Sequence, residues 1–123
     1  MNGANIVVDT NILIYLLKGD ARIAEQLEGK QLFISVITEM EMLGMYGVSQ
    51  TNLKMIKRLI NDCVVVDLNN EIKESAIELK QKQKIKLPDA IIASTSTFLN
   101  FPVLTADKQF AKIPSLDCVI FEI

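Results

Sequence analysis

Apolar positions fall along this chain in two rhythms. Short unbroken apolar runs with polar flanks predict buried strands at residues 5–9 (NIVVD), 32–35, 62–66, 102–105 and 118–121. Between them the period lengthens to that of a helix. Leu53, Ile56 and Ile60 share one stripe of a helix over residues 51–60, and Ile72, Ala76, Leu79 and Gln83 share one over 70–84. Further helices are predicted over 11–18, 21–27 (ended near Gly29), 36–46, 87–99 (with Pro88 in its first turn) and 108–113. Short apolar strands alternating with helices predict an α/β fold, an α/β/α sandwich around a central, mostly parallel five-stranded sheet. The chain of 123 residues fits one domain over 1–123, with no linker, repeat or low-complexity segment.

That topology gives certain acids a meaning. Open parallel sheets bind ligands beyond the carboxyl ends of their strands. Asp9 ends the first strand, Glu41 lies early in the helix after the second, and Asp107 follows the fourth in VLTAD. Right-handed crossovers run their helices antiparallel to the strands. The helix leading into the fourth strand therefore starts at that same edge, with Asp89 of LPDAIIAS in its first turn. Singly, Asp9 and Asp107 read as helix caps, Asp89 as a dipole partner and Glu41 as a surface residue. Together, four clustered carboxylates repel one another, and a hard divalent cation relieves that repulsion. Periodicity does not separate Glu41 from Glu39. Glu41 shares a face with Ile37, Thr38, Gly44, Met45 and Val48, Glu39 one with Met42, Leu43 and Tyr46, and both faces are apolar.

Composition narrows the chemistry. The chain has no histidine, which removes Ser-His-Asp and Cys-His catalysis and most zinc hydrolase sites. Cys63 and Cys118 sit in apolar runs without CxxC spacing, so each reads as a buried strand residue rather than a disulfide partner or metal ligand. The longest apolar run, 12–17, is too short to span a bilayer, and no basic-then-apolar leader opens the chain. The expectation is a cytoplasmic protein without membrane contact. A net charge of −2 argues against nucleic-acid binding driven by overall charge, and leaves room for a local basic patch.

With these residues in view, the chain resembles a PIN domain over nearly its whole length. VVDTNILIYLL resembles the opening strand and helix with the family's first aspartate, and ISVITEMEMLG the second motif, in which a Thr precedes a Glu by three residues. That match favours Glu41. LPDAIIAST resembles the third motif with Asp89, and VLTADKQF the fourth with Thr105 and Asp107. Many relatives carry a further acid just before the Phe of that last motif, where this chain has Gln109.

The resemblance implies a Mg²⁺- or Mn²⁺-dependent ribonuclease, and the chain's size is similar to the VapC toxins of toxin–antitoxin pairs. Asp9, Glu41, Asp89 and Asp107 would hold one or two metal ions for hydrolysis of an RNA phosphodiester by an activated water, Glu41 either as a ligand or in positioning the water. Asn11 and Thr105 would orient those ligands from behind. The run LKQKQKIK brings Lys80, Lys82, Lys84 and Lys86 up to Asp89. Lys84 and Lys86 are candidate contacts for the RNA backbone, against the plainer reading of a solvated helix end. A cognate antitoxin and a second copy of the chain are the implied protein partners, with the apolar stretches 12–17 and 40–46 offering surface or simply core. Rival readings are an aspartyl phosphatase using Asp9, for which Asn11 stands where a second acid is normal, a non-catalytic PIN-like binding module, and a PIN nuclease of RNA maturation or decay.

Overall fold

A computed structural model describes residues 4–123, so the first three residues of the expected domain lie outside it. The chain runs β1 (Asn5–Val8), α1 (Thr10–Leu17), α2 (Ala21–Leu27), β2 (Gln31–Ser35), α3 (Val36–Leu43), α4 (Gln50–Asn61), β3 (Val64–Val66), α5 (Asn70–Lys82), α6 (Leu87–Leu99), β4 (Val103–Thr105), a 3-10 helix (Lys108–Lys112) and β5 (Cys118–Ile120). The strands form one sheet in the order β3-β2-β1-β4-β5, and all four ladders are parallel.

Alternation within the strands builds a core on each face. Ile6, Val8 and Leu104 pack with Ile12, Leu13, Ile23, Met42 and Ile56 on one side. Val7 and Val103 meet Ile92, Ala93, Phe110 and Ile113 on the other. α6 is buried from Ala90 to Ser96, which fits its nearly all-round apolar and small sequence. α5 packs against it through Ile72 and Ala76.

Several expected boundaries shift. α3 ends at Leu43 instead of continuing to 46, because Gly44 closes it and Gly47 turns the chain at φ 74°. α5 ends at Lys82, where Gln83 becomes extended and the Lys80 ammonium donates to the Ile85 carbonyl at 2.8 Å. Cys63 precedes β3 rather than lying in it, and both cysteines are free and only half-buried. Ile12 and Leu13 belong to the core, so of the two apolar stretches only the second, with Met40, Leu43 and Tyr46, is outward-facing. Among the described residues no helix is long and apolar enough to cross a membrane.

Candidate active site

Successive strands step outward from β1 to β3, and the chain then returns to place β4 on the other side of β1. The strand order reverses between β1 and β4, which is where open α/β sheets leave a crevice. Asp9 follows β1 and Asp107 follows β4, so both lie at that switch point. α3 brings Glu41 from beside β2, and α6 starts there with Asp89 in its first turn. All four acids line one cavity of about 390 Å³. Glu39 lies elsewhere, beside Leu43, Lys57 and Arg58, so the structure separates the two glutamates that periodicity left level.

Two threonines hold the carboxylates of Asp9 and Glu41 in place. Asp9 is buried and caps α1: its Oδ1 accepts from the Thr10 N–H at 2.8 Å, and its Oδ2 from the Thr105 hydroxyl at 2.7 Å. Thr105 Oγ1 in turn accepts from the Asp107 N–H at 3.0 Å, so one hydroxyl ties two acids together. Thr10 Oγ1 donates to Glu41 Oε1 at 2.7 Å and lies 3.0 Å from the hydroxyl of fully buried Thr38. A single hydroxyl proton serves one acceptor, so the chain of donors runs from Thr38 through Thr10 to Glu41. Asp107 also caps the 3-10 helix, accepting from the Gln109 N–H at 2.9 Å.

Thr10 and Thr38 were not singled out from sequence as orienting residues. The available signal was their placement, one beside Asp9 and one a helical turn before Glu41. Asn11 lines the cavity with an exposed side chain, and among the described residues no hydrogen bond joins it to any of the four acids. Lys86 lines this cavity, while Lys84 lines a larger neighbouring one.

The electrostatics of the cavity are those of crowded carboxylates. Burial, then the charges of Asp9, Asp107 and Glu41, push Asp89 up to about 6, against a smaller opposing pull from Lys86. Its place in the first turn of α6 favours the ionised form, yet burial and three like charges outweigh that. Burial also raises Asp9, although the hydrogen bonds from Thr105 and Thr10 act the other way. Burial pushes the Cys63 thiol up to about 11, which disfavours a reactive thiolate. Among the described residues no three acids form a ready-made metal cluster. What they share is a cavity of oxygen donors with excess negative charge, a set that fits a hard divalent cation such as Mg²⁺ and offers nothing to a soft one.

Fold and cavity together define a parallel α/β protein with an oxygen-donor site at its strand ends. Residues 6–116 match the PIN domain, and the chain belongs to that family. It is 29% identical to a ribonuclease named VapC2 from Methanocaldococcus jannaschii, over 97% of this chain and 95% of the relative. It is 32% identical to a chain in a toxin–antitoxin complex from Klebsiella pneumoniae, with a TM-score of 0.83 over 96% of this chain and 99% of the other. The fold is also that of a chain in the DNA-bound VapBC2 complex of Rickettsia felis, with a TM-score of 0.85 at 20% identity and coverage of 96% and 99%. The α/β sandwich expected from the hydrophobic rhythm is borne out, with a sheet that is parallel throughout.

Proposed function

We propose that this chain is a VapC-like ribonuclease, the toxin of a toxin–antitoxin pair, hydrolysing RNA phosphodiesters at the four-acid cavity with Mg²⁺ or Mn²⁺. The observation that carries this reading is the convergence of Asp9, Glu41, Asp89 and Asp107 on one cavity at the switch point of the sheet. The likeness to a ribonuclease and to a toxin–antitoxin complex over nearly the full chain supports it.

In this reading Asp9, Asp89 and Asp107 are metal ligands, and Glu41 is a further ligand or positions the attacking water. A bound divalent cation supplies an activated water and offsets charge on the phosphate. The chain's own part is orientation. Thr105 and the Thr10 N–H fix both oxygens of Asp9, and the Thr10 hydroxyl fixes Glu41. The role expected of Asn11 passes to these threonines. Lys86, at the cavity wall, is placed to meet a phosphate oxygen, and Lys84 beside it to meet the next stretch of backbone.

The protein acts in the cytoplasm, held in check by a cognate antitoxin and assembled as a homodimer. Outward-facing Met40 and Tyr46, 62% and 104% exposed, offer apolar surface for such partners. The test is to sequence RNA ends after brief expression of the wild type and of Asp9→Asn. New ends are expected from the wild type alone, with the variant folded and inactive. A fully active Asp9→Asn would remove the assignment.

A further inference from the structure

Three of the four acids are placed by α-helices. Asp9 caps α1, Glu41 lies within α3, and Asp89 lies in the first turn of α6. Asp107 instead sits on the connection from β4 to the short 3-10 helix, so its position depends on what holds that connection. On the cavity side, the Thr105 hydroxyl accepts from its N–H. On the other side the ties come from Phe121 and Glu122, which follow β5. The Phe121 N–H donates to the Thr105 carbonyl at 2.7 Å. The Phe121 ring is buried in the same core cluster as Val8 and Leu104, against which Ala106 packs. Glu122 lies 3.7 Å from the ammonium of Lys108, the residue after Asp107.

That segment is itself clamped by Arg22, in the first turn of α2. The Arg22 guanidinium stands over the Phe121 ring, 4.9 Å from its centroid, and donates to the Glu122 carbonyl at 3.5 Å. It also donates to Asp20, the cap of α2, at 3.2 Å, which limits its swing. Magnitudes decide which tie matters. Lys108 and Glu122 are both mostly exposed, and an ion pair so placed contributes little. The stack of Arg22 on Phe121 is small against the stability of the whole fold. It is still enough to shift a local equilibrium roughly twofold to fivefold toward one loop geometry.

We propose that Arg22, acting through Phe121, is a positioning residue for Asp107. The clamp holds the connection 105–108 in the geometry in which Asp107 joins the other three acids around a divalent cation. The proposal rests on the metal-dependent reading above. Neither Arg22 nor any side chain of 118–122 lines the four-acid cavity. Their influence on the site therefore passes through the backbone of Thr105 and the packing of Ala106. This gives α2 and the β5 edge of the sheet a part in a site that neither touches.

The test measures binding of Mn²⁺ alone to the full chain by calorimetry, beside chemical denaturation in EDTA and RNA cleavage over a Mn²⁺ series. Arg22→Ala is expected to raise the Mn²⁺ Kd roughly threefold to tenfold, at or below the roughly 10–100-fold typical of groups that touch a ligand directly. Its cleavage should fall most at limiting Mn²⁺ and recover as Mn²⁺ is raised. Phe121→Leu keeps the N–H and an apolar side chain but removes the ring face, and is expected to share the defect. The double variant should be little worse than either single one, because both remove the same contact. Arg22→Lys keeps a cation over the ring and should recover much of the affinity. A lower denaturation midpoint in Arg22→Ala at unchanged Mn²⁺ Kd makes the clamp structural only and overturns the proposal. A folded Phe121→Leu with wild-type affinity overturns it too. If Phe121→Leu does not fold, the lysine variant decides, and a Kd equal to that of Arg22→Ala overturns the stack. Arg22-dependent Mn²⁺ binding in a wild type that cleaves no RNA overturns the nuclease reading and leaves the positioning role.

Discussion

Two acids of the cavity, Asp9 and Asp107, carry a structural duty as caps along with their proposed chemical one. Asp9 is both the cap of α1 and the buried centre of the cluster, and its two oxygens have separate donors. That engagement suits a fixed ligand better than the free nucleophile a phosphatase would need. Thr10 is the residue through which Asp9 and Glu41 are coupled. Thr10→Val keeps the shape and the backbone N–H but removes the hydroxyl, so Glu41 loses its donor and buried Thr38 a partner. A loss of about 1–2 kcal/mol is expected from such a bond, seen as roughly a tenfold fall in kcat and a higher magnesium requirement. Thr10→Ser should recover most of both. Equal defects in the two variants would mean that the hydroxyl does not orient Glu41. The sequence marked all four acids because their types and positions at strand ends are local properties. It left Thr10 and Thr38 unmarked because their hydrogen bonds join segments 28 and 31 residues apart.

At the scale of elements, the ends of helices were harder to read than their existence. Met45 and Tyr46 continue the apolar rhythm of α3, yet the helix stops at Leu43. The reason is in the backbone: a Cβ at Gly44 would stand 2.7 Å from the Met40 carbonyl oxygen. The glycine therefore lets the last turn close tightly over the residues that present Glu41. Gly44→Ala forces that turn to shift, with an expected cost of about 1–3 kcal/mol. Chemical denaturation measures that cost. Because Glu41 sits one turn earlier, cleavage should fall by more than the folded fraction does. An alanine variant with unchanged midpoint and rate would show that the turn relaxes freely. The early end of α5 has a different cause. Lysine side chains carry little periodic signal, and only the folded chain shows Lys80 reaching the Ile85 carbonyl to fold the turn back.

For the molecule as a whole, strand order is what periodicity could not supply. Apolar runs predict five strands, but only the return of β4 to the side of β1 sets Asp107 beside Asp9 and closes the cavity. That closure has a thermodynamic consequence. The Asp89 carboxyl sits at about 6, above its ordinary 3.8, so the metal-free fold holds this proton more tightly than the unfolded chain does. The stability this gives is fully present below pH 3.8 and is lost as pH rises through about 6. Solvent screening of a half-open site limits the loss to about 1 kcal/mol. At pH 7.5 in EDTA, Asp89→Asn removes the cost and should raise Tm by about 4 °C. A bound divalent cation acts in the opposite sense to the repulsion, stabilising the wild type by about 2.7 kcal/mol at a hundred times Kd. Magnesium should thus raise the wild-type Tm at pH 7.5, less so at pH 5 where protons compete for Asp89, and hardly at all in Asp89→Asn. A variant that melts below the wild type in EDTA, and still responds fully to magnesium, would place the ion away from these four carboxylates.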